Sequence, residues 1–180
     1  MKQKAVHLVF AAIVATLFLP APGLHAQQSC RDFHAIIQGR FPLEAPLPLR
    51  EGDGWGGNIY GYLDQEPLVG IFSGNDGTVT WHKWVGMGKD GTYKFAFGPL
   101  ANNNTFTIAA NQATFPNPPG KFPLGGMYQS AWKIAEGTGR FQYASGNLRA
   151  KGPYLVWTED NVNFFGRWNA EITGNICGVE

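Results

Sequence analysis

The chain has 180 residues, 44% of them hydrophobic and only 15% charged, which excludes a disordered chain and suits one folded core. Lys and Arg number 14 against 13 Asp and Glu, a formal net charge of +1, and no segment after the leader gathers five basic residues. An electrostatic footprint for nucleic acid is therefore absent, as is a polybasic patch for a membrane surface.

The first elements belong to an address signal. Met1 to Lys4 are basic, and Ala5 to Leu19 run mostly apolar for 15 residues. Pro20 and Pro22 break the run before Leu24-His25-Ala26. This is the three-part plan of a secretory signal peptide. A membrane span needs about 20 apolar residues, and no second apolar stretch follows. Cleavage is expected after Ala26, so 1–26 is the leader, 27–180 a single domain, and the location secreted or periplasmic. No stable membrane span is expected after cleavage.

Cys30 and Cys177 stand at the two ends of the expected mature chain and are its only cysteines. In an oxidising compartment the pair reads as a disulfide. That requires the chain ends to meet within about 7 Å, Cα to Cα. A closed barrel, whose first and last strands are neighbours, satisfies the requirement.

Between them run short alternating segments punctuated by Gly, Pro, Asn and Asp, the pattern of an all-β sandwich or barrel. Phe33, Ala35, Ile37, Gly39 and Phe41 share one parity of a half-buried strand. Pro42 to Pro48 is a proline-rich connection, and Glu51 to Gly57 a glycine-rich loop. Asn58 to Leu63 and Pro67 to Ser73 are strands. Asn75-Asp76-Gly77 and Asp90-Gly91 read as tight turns flanking a strand over Thr78 to Val85. Tyr93, Phe95 and Phe97 alternate with polar neighbours. Thr105 to Phe115 is one long strand or a bulged pair, and Pro116 to Gly126 a loop. Met127 to Glu136, Gly146 to Gly152, Tyr154 to Thr158 and Phe165 to Ile176 complete eight to ten strands.

One segment carries a family likeness. Trp132 to Gly146 reads WKIAEGTGRFQYASG. It resembles the strand–turn–strand motif of the allene oxide cyclase barrel-like proteins, which include dirigent proteins and bacterial relatives. Gly137, Thr138, Gly139, Phe141, Ala144 and Gly146 match that motif, and Gly70 to Gly74 (GIFSG) looks like an upstream strand of the same families. The resemblance implies a closed eight-stranded antiparallel barrel with an apolar cavity, in a homo-oligomer that is often a trimer. It implies no particular reaction, and no catalytic residue of the cyclases or dirigent proteins maps onto this chain. The local chemistry agrees: Gly137 and Gly139 permit a sharp turn, and Phe141 is placed to plug a barrel end.

The candidate chemistry is sparse. His34 and His82 are the histidines outside the leader, and no zinc or calcium spacing surrounds them, so no metal and no cofactor is expected. No G-x-S-x-G elbow or Walker loop occurs. In Trp81-His82-Lys83-Trp84, His82 shares a face with Trp84. If that face is a cavity, His82 is a titratable group against an indole; if not, it is an exterior histidine beside a surface or subunit-contact tryptophan. Glu136 keeps the parity of Tyr128, Trp132 and Ile134. It is either an inward carboxylate at a barrel mouth, suited to acid catalysis, or a solvated turn residue. Tyr60, Tyr62, Trp84, Trp132 and Trp168 are expected to line the interior or to pack it.

The function expected from these features is interior binding of a small, mostly apolar molecule. As an enzyme, the chain would be a cofactor-free cyclase or isomerase acting through His82 and Glu136. The alternatives are a non-catalytic carrier, and a filled barrel that works through its exterior.

Overall fold

A computed structural model describes residues 29–41, 54–82, 85–99, 103–115, 123–160 and 164–180; the expected leader and the connection over Pro42 to Pro48 lie outside this set. Eight strands follow in order: β1 (Cys30–Phe41), β2 (Trp55–Leu63), β3 (Glu66–His82), β4 (Val85–Phe97), β5 (Asn104–Phe115), β6 (Leu124–Thr138), β7 (Ser145–Thr158) and β8 (Phe164–Cys177). Each pairs antiparallel with the next, and β8 returns to β1, so the sheet closes as an up-and-down barrel. Closure leaves no unpaired strand edge. One 3₁₀ turn, Gly139–Phe141, joins β6 to β7. The β1–β8 seam runs in unbroken register from Cys30↔Cys177 to Phe41↔Gly166. Cys30 and Cys177 form the expected disulfide.

Tertiary pairing overrides several local signals. β3 runs straight through Asn75 to Gly77, because Asn75 pairs with Thr92 and Gly77 with Asp90. The hairpin instead turns between His82 and Val85, which face each other. Asp90 stays within β4 at a positive φ of 61°, which Asp tolerates better than most residues. Trp55 to Gly57 belong to β2 rather than to a loop. Gly146 to Gly152 and Tyr154 to Thr158 are one strand, with Pro153 in its exposed parity.

The interior is filled by alternating large and small side chains. Tyr93, Tyr128, Trp132, Trp168, Phe72, Phe95 and Phe106 are buried, and so are Ala35, Ala110, Ala113, Ser130, Ala150 and Ala170. Small barrels fill this way, a small residue on one strand making room for a ring from another. One barrel end holds the disulfide and the 3₁₀ turn. There Phe141 is fully buried, its ring 5.5 Å from Phe97 and 5.3 Å from Phe106. It plugs that end.

Ion pairs bind the connections around the plug. Arg31 donates from Nε to Asp64 (2.8 Å) and from Nη2 to Glu66 (3.1 Å). Arg140, beside Phe141, forks onto Glu66 through both terminal nitrogens. The β2–β3 turn is thereby tied to the β1 start and to the β6–β7 turn.

The barrel exterior carries Lys133, Arg149, Lys151, Arg167 and Glu171, all exposed. A membrane-spanning barrel has the reverse arrangement, an apolar outer band around a polar lumen. Among the described residues, no helix is long and apolar enough to cross a membrane.

Candidate functional site

The candidate site is an aromatic cluster in the half of the barrel opposite the Phe141 plug. Its centre is Trp168 of β8, which is 3% exposed. Alternation along β8 turns Trp168, Ala170 and Ile172 inward and Arg167, Asn169 and Glu171 outward. The Trp168 ring centre lies 4.7 Å from Tyr128, 5.5 Å from Tyr93 and 5.8 Å from Phe72. Trp55 is 6.0 Å away and Trp132 6.2 Å. Most of these contacts are edge-on or tilted, the arrangements that aromatic quadrupoles favour. Tyr93 and Trp132 stack at 5.7 Å.

The polar atoms of the cluster are unequally served. The Trp132 indole N–H donates to the Tyr128 hydroxyl at 3.4 Å. The Trp168 indole N–H is buried and meets no acceptor among the described residues. The Ser130 hydroxyl, inward on β6 beside Ala113 and Ala150, is likewise buried without a partner. Burial pushes the Tyr154 phenol above its usual pKa, so it stays neutral. Among the described residues, the interior thus presents apolar rings, an unused indole N–H and an unused hydroxyl, with no charged side chain buried there.

Trp55 covers the cluster. Its half-buried ring packs 5.7 Å from Phe41 and lies directly over Gly166. A Cβ at position 166 would come within 2.5 Å of the Trp55 ring, so the ring reaches this place only because residue 166 has no side chain.

The structure sorts the expected site residues. Trp132 and Trp168 are inward and together, as anticipated for a lining or a packed core. Tyr60 and Tyr62 are not: they face outward, 45% and 54% exposed. On β2 the inward parity belongs to Ile59, Gly61 and Leu63. At Gly61 a Cβ would come within 2.5 Å of the Ala35 Cβ, so a tyrosine at that parity would collide with β1.

Glu136 is also outward. The register passes from Ile108↔Ile134 to Thr107↔Glu136, leaving Ala135 as an extra residue. That bulge reverses the parity and places Glu136 in a shallow surface hollow beside Thr92, Lys94 and Thr107. Parity counting fails here because a bulge depends on the partner strand. His82 is the last residue of β3, and its side chain is outside the described set; Trp84 lies outside the described residues.

Reading the sequence missed Trp55, Tyr128 and Ser130 as members of the site. Trp55 had a signal: it shares the parity of Gly57, Ile59 and Leu63. Among the described residues, no group of three His, Cys, Asp or Glu is placed to hold a metal ion.

Compared with known proteins, the chain matches no family model, no curated protein and no solved structure.

Proposed function

We propose that this chain is an exported β-barrel that binds a small, mostly apolar molecule bearing a hydrogen-bond acceptor, seated against Trp168. The observation that carries the reading is the Trp168 N–H, buried among five aromatic rings with no acceptor among the described residues. An unpaired buried donor costs about 1–3 kcal/mol. A ligand carbonyl or ether oxygen would remove that cost, and the surrounding rings would hold the apolar remainder. The Ser130 hydroxyl supplies a second group of the same kind.

Access is from the Trp55 end, because Phe141 closes the other. Rotation of the half-buried Trp55 ring off Gly166 would expose the cluster and vacate the room a ligand needs, because the interior is otherwise filled by side chains. We assign binding without turnover. Of the two groups on which a cyclase or isomerase reading rests, Glu136 faces solvent on the outer wall. Export agrees with the leader-like first 26 residues and with the disulfide. The resemblance to allene oxide cyclase-like barrels also agrees, since it implies an apolar interior.

The test is native mass spectrometry of protein exported from its own leader and kept free of reductant. The expected spectrum shows a mass excess that denaturation releases as an organic compound. Trp168→Phe, which keeps a ring but lacks the N–H, should carry less of it. A bare polypeptide mass for the wild type refutes the reading.

A second reading concerns the outer wall. Ile36, Tyr60 and Val69 are aligned across β1, β2 and β3 and are 49%, 45% and 59% exposed. Tyr62 and Pro67 extend the same patch by one row, and the His34–Glu171 pair, 2.9 Å apart, borders it on the β1–β8 side. Exposed apolar patches of this kind favour protein contact. We propose a second copy of the chain as the occupant. Sedimentation of the wild type and of Tyr60→Lys should then differ in assembly state, and monomers in both would rule it out.

A further inference from the structure

We infer that the outer wall of the barrel carries a second binding site, independent of the interior, for a phosphate monoester. The site is a hollow of about 480 Å³ across β5, β6, β7 and β8. That size lies within the roughly 300–1,000 Å³ typical of small-molecule sites. Ala131 on β6, a small exposed residue, faces Arg149 on β7 and leaves room in front of it. Lys151 follows two residues along β7, on the same face, opposite Gln129 of β6. Thr173 of β8 faces Arg149 from the other side.

The fold gives these two cations no counterion. Among the described residues, neither Arg149 nor Lys151 enters an ion pair. Glu171 of β8 is the acidic residue among the described ones lining the hollow, and it stands directly opposite Lys151. Its carboxylate turns the other way, across the β8–β1 seam, and accepts from His34 Nε2 at 2.9 Å. Two like charges therefore share one face of one strand, and the carboxylate beside them is engaged elsewhere. The donors select the anion. A carboxylate has one charge and two oxygens, enough for the guanidinium fork alone. A phosphate monoester carries a charge of about −1.5 to −2 and three acceptor oxygens. Two of those oxygens match the Arg149 fork, and the third can take Lys151, whose ammonium acts as a point charge. The Thr173 hydroxyl and the Gln129 amide can donate to the same oxygens or accept from hydroxyls on the esterified part.

The test is calorimetric titration of the mature, oxidised protein with glycerophosphate, with acetate and with inorganic sulfate at neutral pH. Co-sedimentation with phosphatidylcholine vesicles containing phosphatidic acid, a lipid with a monoester headgroup, runs beside it. Saturable binding of glycerophosphate is expected, weakening as salt rises. Arg149→Gln should weaken it at least tenfold, and Arg149→Lys, which keeps the charge but loses the fork, several-fold. Lys151→Gln should also weaken it several-fold. Both side chains are exposed, so the melting temperatures should not move. Failure to bind either glycerophosphate or the vesicles, or binding unaffected by Arg149→Gln, overturns the proposal. Acetate or sulfate bound as tightly as glycerophosphate overturns the phosphate assignment and leaves a simple anion site. Binding to the vesicles without binding to glycerophosphate supports the phosphate chemistry and makes a lipid headgroup its source. Retention of an interior ligand by Arg149→Gln protein, followed by native mass spectrometry, separates this site from the interior one.

Discussion

Cys30 and Cys177 face each other at the end of the β1–β8 pair, Cα atoms 3.9 Å apart, so the disulfide clasps the seam on which barrel closure depends. The bridge spans 147 residues of sequence. In the chain-entropy account a loop of that length contributes about 5 kcal/mol as an upper figure, by restricting the unfolded chain. The double Cys→Ser variant is therefore expected to lose several kcal/mol. Guanidinium unfolding of oxidised, reduced and double-variant protein measures the loss. A loss below about 1 kcal/mol would show that the seam holds without its clasp.

The ion-pair cluster predicts a pH dependence. Glu66 is held at a pKa of about 2, chiefly by hydrogen bonds from Arg140 and then from Arg31, which outweigh the opposing effect of burial. Its folded value lies below the ordinary 4.5. Its stabilising effect is therefore complete above pH 4.5 and disappears as pH falls through 2. The side chain is 41% exposed, so screening keeps the effect near 0.5–1 kcal/mol, roughly 1–4 °C in Tm. Glu66→Gln should melt lower than wild type at pH 7 and with it at pH 2. A gap that persists unchanged to pH 2 would remove the ion pairs as its cause.

Two glycines should respond in opposite ways to alanine. Gly139 has a φ of +57°, and a Cβ there would come within 2.3 Å of Asn104 Oδ1, which accepts the Arg140 backbone N–H. Gly125 has its nearest neighbour, Leu155 Cδ1, at 3.4 Å from such a Cβ. Gly139→Ala is expected to cost about 1–3 kcal/mol through strain, and Gly125→Ala within about 0.5 kcal/mol. Thermal unfolding of the two variants side by side decides. Equal losses would mean that the Gly139 turn carries no special strain.

Phe141 and Glu136 lie five positions apart but on opposite sides of the wall. Phe141→Ala removes a fully buried ring and should cost about 3–5 kcal/mol. Glu136→Ala removes an exposed group and should change stability by no more than about 0.5 kcal/mol. Retention of any interior ligand should also be untouched by Glu136→Ala. Loss of ligand in that variant would place the carboxylate inside after all.

Much of the barrel is legible in the period-two alternation of its strands. Phe33, Ala35 and Ile37 on β1, Tyr93, Phe95 and Phe97 on β4, and Trp168, Ala170 and Ile172 on β8 read correctly as one buried face. The turn over Gly137 to Gly146 and the Phe141 plug are also visible, because a glycine at positive φ and a lone large apolar residue beside it are local chemistry. The pairing of Cys30 with Cys177 follows from their being the only two cysteines.

Other features exist only between strands. Alternation separates the two faces of β2, but the Ala35 contact at Gly61 decides that its tyrosines face outward. The bulges at Ala135 and at Asn111 are relations between β5 and β6. Neither strand alone reveals them, and one of them carries Glu136 from the inner wall to the outer. Asn75 to Gly77 has the composition of a turn, yet β4 pairs with both Asn75 and Gly77 and holds the segment extended. The same holds for function. The sequence by itself determines an apolar, aromatic inner face, two cysteines at its ends and a leader-like start. Only the closed sheet brings Trp55 over Gly166, strands the Trp168 N–H among rings, and turns Glu171 from Lys151 to His34. Those juxtapositions join residues of distant strands, and backbone pairing and close packing set them rather than any local preference.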